Sequence, residues 1–125
     1  MAAGVSEFAR KVDDPEGIYG AGQWVPGSGT QADLGPPRDA FLAAYAAVTG
    51  QPAEYPGVQA AAAAVIAAHC ARRAGSTVRG QLWAQAAALD TATLFGGFRI
   101  DPVTGAQVQH QAVLVRWMPG GLAPA

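Results

Sequence analysis

The sequence predicts a small α/β fold, and three observations carry that expectation. Four stretches place apolar residues at helical spacing, short runs of branched and aromatic residues lie on either side of the last three, and Gly, Pro and Asp separate the runs. The predicted order is helix, strand, three helices and a C-terminal β-hairpin. With 125 residues, 50% hydrophobic and 14% charged, the chain has the length of one domain and enough apolar material to exclude an intrinsically disordered protein. Because 29 residues are alanine, which buries little area each, the effective core is smaller than that percentage implies.

Val5, Phe8, Ala9 and Val12 stand at the spacing of a short amphipathic helix that Asp13-Asp14-Pro15 ends. Ile18-Tyr19-Gly20 and Gln23-Trp24-Val25 read as one strand leading into a loop. Residues 26–37, bracketed by Pro26-Gly27 and Gly35-Pro36-Pro37, have the chemistry of a loop or crossover. A helix follows Pro37, with Phe41, Leu42, Tyr45 and Val48 along one face and Gly50 as its C-cap. The next begins near Pro56 and runs to Gly75, with Arg72 and Arg73 in its last turn, where they complement the helix dipole. Its alanine-rich surface predicts enclosure on several sides. Ser76 or Thr77 can cap a third helix whose inward face is Leu82, Trp83, Ala86 and Leu89. In the last third the period changes: residues 93–95 and 98–100 flank Gly96-Gly97, Asp101-Pro102-Val103-Thr104-Gly105 is a turn, and residues 111–117 form the second strand of the hairpin.

Eight basic and nine acidic residues leave a net charge of -1 with no basic stripe, which argues against a nucleic-acid partner. Cys70 is the one cysteine, so no internal disulfide can form. Residues 1–11 lack the pattern of a secretory leader, and Ala60 to Ala68 is too short and too rich in alanine for a membrane span.

No catalytic arrangement emerges. His69 and Cys70 are neighbours on a helix and point about 100° apart; His110 is the only other imidazole, and no CxxC, HxxxH or HExxH spacing exists, so neither a metal nor a cofactor is expected. Ser28 lies in Pro26-Gly27-Ser28-Gly29-Thr30 without the GxSxG of a nucleophile elbow, and that loop lacks a P-loop lysine. Arg72, Arg73 and Arg79 gather around one helix–helix connection and read as a solvated corner.

The order of several landmarks is more telling than any one of them. Gly17-Ile18-Tyr19-Gly20 and Trp24 precede Phe41-Leu42-Ala43-Ala44-Tyr45 with Gly50, then Glu54-Tyr55-Pro56 before an alanine-rich helix. Ala74-Gly75-Ser76-Thr77 precedes residues 89–101, LDTATLFGGFRID, then Thr104-Gly105 and Val113-Leu114-Val115-Arg116-Trp117. From about residue 16 to residue 121 this series resembles the C-terminal third of type I periplasmic solute-binding proteins, the leucine/isoleucine/valine-type receptors of amino-acid ABC importers. The resemblance implies a partial periplasmic-binding-protein-like (type I) lobe, a ligand-binding rather than catalytic role, an amino-acid-type ligand, an ABC permease as partner and a periplasmic location. It also implies that residues 1–125 form a single segment of a two-lobed receptor and supply at most one wall of its cleft.

On that resemblance Tyr55, just before the alanine-rich helix, falls nearest the ligand-facing aromatic of the family, although Gln59-Ala60-Ala61-Ala62 offers no aromatic where members often carry one. The competing reading of Tyr55 is a hydrophobic staple at a helix entry. Trp24 is a candidate for lining the cleft at the end of the first strand, against core or hinge packing. Glu54 is the carboxylate placed to meet a ligand ammonium, against a first-turn dipole partner. From a different class comes the reading of a small stand-alone α/β interaction domain, a homodimer that covers a bare sheet edge with a second copy.

Overall fold

Three α-helices and two antiparallel sheets make up the fold, in a computed structural model that describes residues 3–28 and 31–125. Two positions of the expected crossover loop, 29 and 30, lie outside the described residues. The chain divides into two compact units, residues 1–28 with 111–125, and residues 29–110. No helix among the described residues is long and apolar enough to cross a membrane.

The first unit is built on a three-stranded sheet of order β1-β4-β5, formed by β1 (Tyr19–Gly22), β4 (Val113–Met118) and β5 (Gly121–Pro124). Alternation along β4 sends Val115 and Trp117 into the core and Leu114, Arg116 and Met118 to the surface. Trp24 and Val25 join that core although they lie beyond the end of β1. Tyr19 stands opposite Arg116, whose guanidinium lies 5.4 Å from the centre of the Tyr19 ring.

The N-terminal segment forms one 3-10 helix, Ser6–Arg10, in place of the expected amphipathic helix over residues 5–12. A helix this short gains too few bonds to offset nucleation, and contacts to Trp117 hold the segment instead. The Trp117 indole N–H donates to the Ala3 carbonyl at 2.7 Å, and Phe8 stacks on the Trp117 ring with centroids 6.2 Å apart. The backbones of residues 3–4 and 20–21 touch: a Cβ at Gly20 would sit 2.5 Å from the Ala3 carbonyl carbon.

The second unit holds α1 (Arg38–Thr49), α2 (Tyr55–Ala74) and α3 (Arg79–Ala87), of which α1 and α2 end at their predicted glycine caps. Gly50 and Gly75 close α1 and α2 in left-handed conformations (φ 68° and 60°), which glycine adopts without a Cβ penalty. The inward faces are narrower than predicted. Val48 is 86% exposed and Trp83 44%, so of the predicted α1 face Phe41, Leu42 and Tyr45 are half-buried and Val48 is not, and the Trp83 ring lies over Gly105 at the surface. Enclosure of α2 on several sides is also overturned. Val58, Ala62 and Cys70 are its buried residues, while Ala60, Ala63, Ala64, Ala67 and Ala68 face outward, because α3 has nine residues against twenty in α2 and covers only part of it. Neither Ser76 nor Thr77 caps α3: Val78 is the N-cap, and Ser76 Oγ accepts from the Val78 N–H in the turn just before it.

The C-terminal hairpin also has other partners than predicted. β2 (Thr91–Thr93) pairs with β3 (Gly96–Phe98), and the chain beyond β3 folds back on itself through the Asp101–Gly105 turn, with Ile100 opposite Gln107. Residues 98–100 therefore do not pair with 113–117. The true hairpin partner of β4 is β5, across Pro119-Gly120, and its other neighbour is β1. Asp33 and Leu34 both donate N–H groups to the Ala92 carbonyl, which ties the segment before α1 to β2.

Candidate functional site

The opening turn of α2 brings a carboxylate, two tyrosines and free helical N–H groups to one end of the helix. Glu54 is the N-cap in extended conformation (φ -108°, ψ 167°), and its carbonyl accepts the first helical bond from the Val58 N–H at 3.1 Å. Its carboxylate is exposed and makes no capping bond to the helix. Tyr55 follows, half-buried, and Pro56 contributes the fixed φ suited to a first turn and no N–H. The N–H groups of Tyr55 and Gly57 precede the first helical bond, so they have no acceptor within α2. Twenty residues of aligned peptide dipoles stand behind this end, which concentrates about half a positive charge there.

Tyr45 completes the cluster from α1. A Cβ built on Gly57 would lie 3.2 Å from Tyr45 Cε2 and 3.3 Å from its hydroxyl oxygen, so the phenol rests directly against the first turn of α2. Phe41 braces Tyr45 from one turn earlier, with ring centroids 5.8 Å apart. The periodicity of α1 assigns Tyr45 to the packing face and nothing more. The signal that finds it is Gly57, a glycine inside an alanine-rich helix, which marks a close approach by another group.

Tyr55 and Glu54 thus stand side by side as their adjacency requires, whereas Trp24 does not present its ring to solvent. It is 3% exposed and belongs to the core of the first unit, while Glu54 and Tyr55 belong to the second. Ser28 closes its own turn: its hydroxyl donates to the Val25 carbonyl at 2.6 Å and accepts from the Val25 N–H at 3.0 Å.

The remaining reactive side chains are used in packing. Cys70 is buried, and desolvation pushes its thiol above the ordinary range, away from the reactive thiolate. His110 stacks on Phe95 with centroids 4.3 Å apart and planes 7° from parallel, against Gly96 at the turn of the β2–β3 hairpin. Asp101 accepts at one oxygen from the N–H groups of Val103 and Thr104 and from the Thr104 hydroxyl, at 2.9, 2.7 and 3.0 Å. Those bonds favour the carboxylate and hold Asp101 below its usual range, the Thr104 N–H contributing most. Among the described residues, no group of three or more His, Cys, Asp or Glu side chains is disposed to hold a metal ion.

The α2 end can therefore offer a small polar molecule two phenol rings, two backbone donors in a positive field and one free carboxylate. That set suits a zwitterion: donors and dipole for a carboxylate, Glu54 and the aromatic faces for an ammonium. Comparison of the chain with protein-family models, curated proteins and solved structures gives no match.

Proposed function

We propose that this chain is part of the ligand-binding subunit of an ABC importer for amino acids or similar small polar solutes, and that it binds rather than catalyses. The order of landmarks that resembles the leucine/isoleucine/valine-type receptors supports this reading. The observation that carries it is the opening turn of α2, where Glu54 and Tyr55 begin the helix, Tyr45 rests against Gly57, and the N–H groups of Tyr55 and Gly57 have no acceptor in the helix. In a receptor of this type two lobes close on the ligand, and its hydrogen bonds and dipoles replace the water the ligand loses. The α2 end serves as one wall of such a cleft, the first unit is structural, and the receptor hands its ligand to a permease from the periplasm.

One wall binds weakly, because most of the ligand stays in water. Calorimetric titration of the full chain with L-leucine, L-isoleucine and L-valine tests this, with no heat of micromolar binding as the expected result. Micromolar affinity would mean a complete site within these residues and would overturn the one-wall reading.

A second reading, a stand-alone interaction domain that pairs with its own copy, draws on the outer face of the β1-β4-β5 sheet. There Tyr19, Leu114 and Met118 are 55%, 61% and 46% exposed around the Arg116 guanidinium that lies over the Tyr19 ring, a mixed apolar and cationic surface of the kind that interfaces use. Light scattering separates the two: a dimer of fixed mass favours the interaction domain, and a concentration-independent monomer disfavours it.

A further inference from the structure

We propose that the α2–α3 elbow is a docking surface for an acidic segment of a protein partner, whose carboxylates pair with Arg72, Arg73 and Arg79 while an apolar side chain covers Val78. The sequence alone favours a solvated corner here; exposure, the charge balance along the helix pair and the bordering apolar surface carry it further.

The three arginines are concentrated and uncompensated. Arg72 and Arg73 occupy the last turn of α2, Arg79 the first position of α3, and only residues 75–78 separate the helices. All three are exposed, and among the described residues the salt bridges join other partners, Arg10 with Glu7 and Arg38 with Asp39. The negative end of the α2 dipole offsets about half a unit charge, which leaves most of the cluster's charge unbalanced.

The helix pair is also polarised. No acidic residue stands between Glu54 and Asp90 in the sequence. Glu54 lies at the opposite end of α2, about 27 Å from Arg72 at 1.5 Å per residue. Asp90 lies beyond the far end of α3, about 16 Å from Arg79 on the same scale. Within the α2–α3 pair itself the corner thus holds positive charge with no acid beside it in the sequence.

The charge borders exposed apolar surface. Val78, between the arginines, is 61% exposed, and Trp83, one turn along α3 from Arg79, is 44% exposed. Arginine and tryptophan are the residue types that carry most binding energy at protein interfaces. Guanidinium forks match carboxylates in bidentate geometry. A nucleic acid fits less well, since three charges on one corner neutralise few phosphates and the rest of the surface adds no basic stripe.

Fluorescence anisotropy of the full chain with a labelled peptide of alternating Glu pairs and Leu, about twelve residues long, tests the proposal. Controls are a peptide with Lys for Glu and an oligothymidylate of similar length. The acidic peptide should bind saturably with Kd on the order of 100 μM at low salt and weaken several-fold by about 0.3 M salt. The triple variant Arg72→Gln/Arg73→Gln/Arg79→Gln should lose about tenfold or more, since each exposed pair is worth up to about fivefold. Val78→Ser should lose roughly threefold. Arg38→Gln/Arg99→Gln, which removes two other arginines of the same unit, should bind within about twofold of wild type. Unchanged circular dichroism in every variant shows that the fold is intact. Absence of saturable binding overturns the proposal, as does undiminished binding by the triple variant or an equal loss in the Arg38/Arg99 variant. Tighter binding of the oligothymidylate than of the acidic peptide would overturn it in favour of a nucleic-acid ligand.

Discussion

Gly35 holds the segment before α1 against the middle of α2, and its replacement by alanine should destabilise the second unit through two separable effects. The backbone there has φ +95°, well into the region that costs an L-residue about 1–2 kcal/mol. A Cβ at this position would also lie 2.9 Å from Val65 Cγ1 and 3.2 Å from Cγ2, closer than the 3.5–4.0 Å optimum of carbon contacts. Val65 cannot swing aside, because a β-branched side chain on a helix has essentially one χ1 rotamer. Relief must come from moving the loop or the helix, at about 1–3 kcal/mol. Stiffening of the unfolded chain returns about 0.4–1 kcal/mol, so Gly35→Ala should cost roughly 2–4 kcal/mol, a large share of a stability of about 5–15 kcal/mol. Urea unfolding followed by far-ultraviolet circular dichroism, which reads the three helices of this unit, should show a midpoint lowered by about 1–2 M. Adding Val65→Ala removes the overlap but not the φ strain, so the double-mutant cycle should show favourable coupling of about 1–3 kcal/mol. A Gly35→Ala variant within about 0.5 kcal/mol of wild type, or a coupling near zero, would refute the reasoning.

Three further outcomes follow from named contacts. Trp117→Phe keeps a ring for Phe8 but removes the donor to the Ala3 carbonyl, so it should cost about 2–3 kcal/mol and speed trypsin cleavage after Arg10 and Lys11; an unchanged digestion rate would contradict the strapping of residues 3–10 by this indole. Gly57→Ala should be nearly neutral in wild type, where the Tyr45 ring opposes the helix-propensity gain, yet stabilise a Tyr45→Ala background by about 0.5–1 kcal/mol in thermal melts; equal effects in both backgrounds would contradict the Tyr45–Gly57 contact. Asp101 should titrate below the ordinary carboxyl range by NMR, so its contribution to the turn is present above the unfolded pKa of about 3.9 and is lost as pH falls through the lower folded value; Thr104→Val, which keeps the N–H donor but removes the hydroxyl, should raise that pKa part of the way, and no change would deny the hydroxyl a role.

Local chemistry accounts for the features that are legible in the sequence. α1 ends at Gly50 and α2 runs from beside Pro56 to Gly75 because caps and periodicity are properties of a few adjacent residues. The Asp101–Gly105 turn is equally local, since Asp101 bonds to its own following backbone. Strand partners are not local. Asp101–Gly105 is the conspicuous turn ahead of β4, yet it closes a ladder between residues 99–100 and 107–108, while β4 finds β1 from the far end of the sequence. The same holds for the candidate site: Glu54 and Tyr55 announce themselves by their place at the start of a helix, whereas Tyr45 enters through a contact across two helices. Trp24, adjacent to a strand and a glycine-rich loop, has the sequence surroundings of a cleft residue and the burial of a core one.

The central claim is that the opening turn of α2 forms a ligand-facing wall, and residue-resolved NMR of the full chain titrated with L-leucine tests it most directly. The amides of Tyr55 and Gly57 and the Tyr45 and Tyr55 ring protons should shift progressively over the millimolar range, about 1–50 mM for contacts of this strength, and Tyr55→Ala should abolish the shifts. Shifts confined to residues outside this turn, or none at these positions up to the highest concentration, would contradict the account.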